Sequence, residues 1–169
     1  MTRYWVPLLV IAVVLGVLLN IVWPIPAIRS DAGGMTPPEA LPFAPGDLAS
    51  YVSLLSADGR RDYLLLQVVD IGFIALYASG LVGGIRQKAQ AGWRWLILVP
   101  LVAAGADLGE DMLISSMLLA YPAQPAFATA LFPIVAMTKW AAIVTSVLLL
   151  GGLIVRHLLG RHRTDEVVR

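Results

Sequence analysis

Four long apolar stretches, at about 4–23, 62–85, 93–121 and 126–155, leave this 169-residue chain little room for anything except membrane-spanning helices. A helix needs about 20 mostly apolar residues to cross the roughly 30 Å hydrocarbon core, so four crossings and their connections nearly exhaust the sequence. Composition agrees: 59% of residues are hydrophobic, 14% are charged and the mean hydropathy is +0.80, far from the values of a soluble domain. The expected fold class is all-α. It is a single integral membrane four-helix bundle over 1–169, with one long extracytoplasmic loop that contains a short amphipathic helix.

The first stretch reads as an uncleaved span, because it is longer than a signal-peptide core and no A-x-A site follows it. Tyr4, Trp5 and Trp23 lie at its ends, where amphipathic rings favour the headgroup layer. Residues 24–61 are rich in breakers (Gly33, Gly34, Pro37, Pro38, Pro42, Pro45 and Gly46) and read as the long loop. Within it, Asp47 is placed to cap a helix whose Leu48, Tyr51, Val52 and Leu55 share one face. Orientation follows from Lys and Arg. Arg3, then Arg86, Lys88 and Arg94, then Arg156, Arg161, Arg163 and Arg169 in the basic tail (156–169) fall on one side, against Arg29, Arg60 and Arg61 in the loop. The positive-inside rule then places both termini in the cytoplasm of a multi-pass cell-membrane protein.

Five ionisable residues fall inside the expected spans: Asp70, Asp107, Glu110, Asp111 and Lys139. A charge at the centre of a spanning helix disfavours insertion by about 2.5–3.5 kcal/mol, so such groups face the bundle interior, pair, or line a wet cavity. Measured at about 1.5 Å per residue from Arg86, Arg94 and Arg156, all five come out about 20–25 Å from the cytoplasmic edge, in one layer of the outer half. At 100° per residue, Tyr63, Gln67, Asp70 and Tyr77 form a polar stripe on the second span, and the three acids of the third span form a wedge continued by Ser115. Lys139 and Ser146 share a face of the fourth span, and Asn20 on the first is placed to complete the ring. Four carboxyls against one ammonium would carry −3 if all were ionised. Either some acids are protonated or a bound cation supplies the difference. A structural alternative is a Lys139 ion pair that only holds the bundle together.

Other signals are weaker. Small residues at Ser79, Gly80, Gly83 and Gly84, and again at Gly105 and Gly109, permit close helix approach. His157 and His162 lie in the tail at a spacing that does not match a helical metal site. With no cysteine, disulfides, thiolate catalysis and sulfur metal sites are excluded.

Three functions compete. The first is binding or translocation of a proton, cation or small ligand from the outer face, with Asp70, Asp107, Glu110, Asp111, Lys139, Tyr63, Gln67 and Tyr77 as ligand-binding residues. Lys139 at the same depth weighs against a dense metal site. The second is a membrane-embedded acid/base enzyme, of isomerase or hydrolase type, on a lipid-like substrate, with Asp107, Glu110 and Asp70 as candidate catalytic groups. The third is an accessory or immunity-type protein whose cluster is purely structural. In layout, with a long outer loop after the first span and buried acids, the chain resembles the sterol-isomerase and sigma-2 receptor group, although its acids sit mainly on the third span and no motif carries over. Expected partners are the lipid bilayer and the ligand, with a homo-oligomer needed for a pore and no nucleic acid. Neither cofactor nor metal is identified by these residues.

Overall fold

The computed structural model describes residues 4–40, 43 and 45–167, the last eight of these without their side chains. Arg3, Pro42 and Arg169, and the side chains of Arg161, His162 and Arg163, lie outside the described residues. The chain is 85% helix and has no strand among the described residues. Among the described residues six α-helices follow one another: α1 (Trp5–Ile21), α2 (Ile25–Asp31), α3 (Leu48–Leu54), α4 (Ala57–Lys88), α5 (Leu98–Ala120) and α6 (Ala126–Val167), with 3-10 turns at Pro38–Ala40 and Ala91–Ile97. Among the described residues three stretches, Trp5–Asp31, Ala57–Lys88 and Ala126–Leu159, are long and apolar enough to cross a membrane. At 23 residues α5 has the length to join them, but its centre carries Asp107, Glu110 and Asp111.

Local chemistry sets these boundaries, and in three places it overrides the sequence expectation. The segment 24–61 holds more helix than its breakers suggest: α2 starts beside Pro24 with Pro26 in its first turn, where a missing N–H costs nothing. α4 begins at Ala57 rather than near 62, because Ser56 caps it by accepting a hydrogen bond from Gly59 N, and Asp58 lies in the first turn. At the third stretch the residues Ala91–Ile97 form 3-10 turns, and α5 proper starts at Leu98 with Pro100 in its first turn. In α3, the Asp47 carboxylate accepts from Ala49 N and Ser50 N, and these bonds with the Ser50 hydroxyl hold its pKa below the ordinary value.

α1 packs along α4, α4 also meets α5 and α6, and α5 lies against α6; α2 rests on α4, and α3 touches α5 and α6. The α2–α4 junction is tied by Asp31, whose carboxylate accepts from Ser56 N and Ser56 Oγ, both at 2.7 Å. Gly59 is needed at this contact, since a Cβ there would stand 1.9 Å from Asp31 Oδ2. Gly80 lets α1 approach α4, and a Cβ on it would meet Leu9 at 2.7 Å.

The apolar interior is divided in two. One cluster, beside the long loop, includes Leu19, Tyr51, Leu66, Ile114 and Phe132; the other includes Ala12, Ile74, Leu81, Ala103 and Leu150. Along α4, Gln67 and Asp70 fall between Leu66 and Ile74; along α5 the three acids fall between Ala103 and Leu113; along α6, Lys139 falls between Ala136 and Ala142. The polar residues therefore form a layer between two greasy cores. Outward, α1 and α6 expose side chains such as Val10, Val14, Ile134 and Leu148 to the surroundings.

Candidate functional site

Helical spacing brings the acids inward together. On α5, Asp107 and Asp111 are one turn apart on one face, with Glu110 beside them, and all three are buried at 3%, 8% and 1% exposure. Lys139 of α6 reaches across to them, with Nζ 3.2 Å from Asp107 Oδ1 and in contact with Glu110 Oε2. Tyr77 of α4 donates its hydroxyl proton to Asp107 Oδ2 at 2.9 Å, so each oxygen of Asp107 has a partner. Burial makes these contacts matter, because an unpaired charge in such an interior costs several kcal/mol.

A cavity of about 370 Å³ opens beside this network. Asp70, Gln67 and Tyr77 of α4, the three acids of α5, and Lys139 and Trp140 of α6 all line it, while α1 supplies an apolar wall that includes Leu9, Val13 and Leu19. Oxygen atoms of Asp70, Asp107 and Asp111 all lie within 4.8 Å of one another. Among the described residues, three buried side-chain atoms have no hydrogen-bond partner: Gln67 Oε1, Glu110 Oε1 and Asp111 Oδ2.

The loop contributes a group that sequence reasoning did not select. Glu39, in the 3-10 turn Pro38–Ala40, lines the same cavity; its Oε2 accepts from the Tyr63 hydroxyl at 2.5 Å, and its carbonyl accepts from Trp140 Nε1 at 3.1 Å. Burial raises the pKa of this carboxyl above the ordinary glutamate value, against the opposing pull of the Tyr63 hydrogen bond and the Lys139 charge. No periodicity marks a lone acid between prolines as an inward-facing group. Trp140 was equally silent, as an aromatic next to a lysine on an apolar helix.

The remaining residues take lesser places. Tyr63 is fully buried but stands behind the cavity as Glu39's donor, with its ring edge-on to Tyr51. Gln67 turns its amide nitrogen to Tyr63 O at 3.4 Å. Asn20 lines the cavity, yet its side-chain amide donates to Gly16 O of its own helix. Ser146 bonds back to Ala142 O and, like Ser115, is not part of the lining.

No family model, curated protein or solved structure matches this chain. The resemblance of layout noted above accordingly carries no argument, and function rests on the geometry of the site.

Proposed function

We propose that this chain is a four-span membrane protein, with α5 as the fourth crossing and both termini cytoplasmic, whose cavity binds a cationic species arriving from the long-loop side. The observation that carries the reading is the charge imbalance within one cavity: among the described residues five carboxyls (Glu39, Asp70, Asp107, Glu110 and Asp111) share it with a single ammonium, Lys139. A salt bridge built only for structure needs one acid per base, and here the surplus of acids faces space that a ligand can enter. α5 supports the four-span reading because its acids are turned inward while Leu101, Val102, Leu108 and Met112 face outward.

Thermal unfolding of the purified full-length protein in detergent tests the site, read against pH, CaCl2 and benzylamine hydrochloride. A species that binds the folded chain raises its melting temperature by mass action. Asp107→Asn protein that folds but no longer responds supports a site. A wild-type chain indifferent to all three probes defeats the reading. Orientation is tested separately. With no native cysteine, single cysteines at Ser53 and Gln90 report sidedness, and a membrane-impermeant maleimide on intact cells is expected to label the first and not the second.

A second reading is acid/base chemistry on a lipid-like substrate. It is favoured by the apolar wall of the cavity, where Phe73, Ile143 and Val147 face the acids. Turnover of a lipid that Asp70→Asn and Asp107→Asn both abolish would select it over binding alone.

A further inference from the structure

We infer that Asp70, Asp107 and Asp111 form the binding site of a hard divalent cation, with Gln67 Oε1 as a neutral oxygen ligand. This inference rests on the cation reading of the cavity and narrows it to one class of ion. Three carboxylates alone would not carry it, since acidic groups cluster for many reasons. The second observation is the set of orphaned oxygens. Asp111 Oδ2 and Gln67 Oε1 are both buried without a hydrogen-bond partner, their residues are only 8% and 6% exposed, and both residues line the cavity. The orientation of the Gln67 amide follows from its nitrogen donating to Tyr63 O, which leaves the oxygen on the other side. Leaving such acceptors unsatisfied in an apolar interior is costly, and a cation held between them in the cavity would satisfy both.

Geometry agrees. The three aspartates come from two helices, Asp70 from α4 and the i, i+4 pair Asp107 and Asp111 from α5, with oxygen atoms within 4.8 Å of one another. Two ligands on opposite sides of an ion are separated by about twice the bond length, about 4–5 Å for Mg²⁺ or Ca²⁺, so the three can surround one ion. Gln67 stands one turn before Asp70 on α4 and so approaches from the same helix.

Lys139, which on sequence grounds weighs against a metal site, is committed elsewhere. Its ammonium contacts Glu110 and Asp107 Oδ1, and Asp70 and Asp111 are not among its ion-pair partners. Together with Tyr77 it holds the carboxylate of Asp107 from behind, as outer hydrogen bonds hold metal ligands. A divalent ion would bring the four intramembrane carboxyls and Lys139 from −3 to −1, closer to what a buried layer tolerates.

Mn²⁺, which shares the oxygen preference of Mg²⁺ and Ca²⁺ and is paramagnetic, is the probe. Electron paramagnetic resonance of the full chain in detergent is expected to show one Mn²⁺ per chain, displaced by Ca²⁺. Asp70→Asn and Asp111→Asn should each weaken binding at least tenfold and Gln67→Leu by a few-fold, whereas Asp47→Asn, in the exposed α3 cap, should bind as wild type. Folded wild-type chain that binds no Mn²⁺, or aspartate variants that bind normally, would overturn the inference. Should a variant fail to fold, anomalous scattering from Mn²⁺-soaked crystals of the unaltered chain decides: a peak between α4 and α5 supports the site, and a peak elsewhere or none sinks it. If Mn²⁺ and Ca²⁺ fail to bind while acid pH or benzylamine still stabilises the chain, this inference falls and the broader reading stands. If none of them has an effect, both fall.

Discussion

Replacing Lys139 with methionine isolates what the ammonium does. The substitution keeps an unbranched side chain of similar length but removes the only positive group that lines the cavity among the described residues. Asp107 and Glu110, 3% and 1% exposed, would both lose it. Their positions afterwards differ. Asp107 keeps the Tyr77 hydroxyl, and a hydrogen bond to a charged group contributes about 1.5–3 kcal/mol. Among the described residues Glu110 keeps nothing, because Lys139 is its sole polar partner there and its Oε1 has none. Breaking a buried pair from one side costs about 3–5 kcal/mol, and most of that should fall on Glu110. Lys139→Met is therefore expected to cost about 3–5 kcal/mol, and adding Glu110→Gln should recover about 2 kcal/mol or more by neutralising the stranded acid. Reversible unfolding in mixed detergent and SDS micelles, followed by circular dichroism at fixed pH, gives both values and hence the coupling. A double variant no more stable than Lys139→Met would refute the reasoning, since it would mean that Glu110 does not depend on the ammonium.

Three further outcomes follow from the same structure. Burial raises the Glu39 pKa, so docking of its turn is favoured below the unfolded value of about 4.3 and weakens as pH rises through the folded value; hydrogen exchange over 35–55, corrected for intrinsic rates, should show protection falling as pH increases in wild type and staying level in Glu39→Gln. Asp47→Ala should cost about 1 kcal/mol through loss of the α3 cap, and because this carboxyl is held below its ordinary pKa, the wild-type advantage should vanish as pH falls toward the acid range, which chemical unfolding at two pH values checks. Gly80→Val places carbon where Leu9 already sits, and the overpacking should cost about 1–3 kcal/mol and force α1 away from α4, seen as a lower melting temperature and new labelling of a cysteine placed at Ala12.

What the sequence made legible, and what it hid, divides along a physical line. Apolar runs of spanning length are a local property, and they marked out the stretches that became α1, α4, α5 and α6. Facing along one helix is nearly local as well, so 100° per residue sufficed to put Gln67, Asp70 and Tyr77 on one stripe, and the structure turns all three into the cavity. Tyr63 belongs to that stripe by angle yet serves Glu39 from behind, because a helix face is broader than a cavity and the loop decides which part of it remains open. Glu39 and Trp140 could not be found from periodicity: they meet through a contact between residues far apart in the chain, and neither stands out in its own neighbourhood. Which acid Lys139 would choose was equally hidden, since three carboxyls on α5 lay at nearly the same depth and only packing separates Glu110 from Asp111. The start of α4 lies earlier than its polar residues suggest, because the capping serine, Ser56, outweighs them.

The division of labour among the elements bears on how the proposed site would be controlled. α1 brings no ionisable group to the cavity; it closes one side with Leu9, Ala12, Val13 and Leu19, and its Gly16 lies against Phe73 of α4. The charges come from α4, α5 and α6, and the fifth acid comes from the loop that joins α1 to α4. Glu39 is close enough to feel both Lys139, which favours its ionised form, and Asp107, which opposes it. Any positive charge that settles beside Asp107 acts on Glu39 as Lys139 does, and by reciprocity the protonation of Glu39 alters the affinity of the site for that charge. On the proposed reading, the loop turn is a titratable part of the layer that binds the cation, and a cover without Glu39 would leave that layer with one fewer acid and no such coupling.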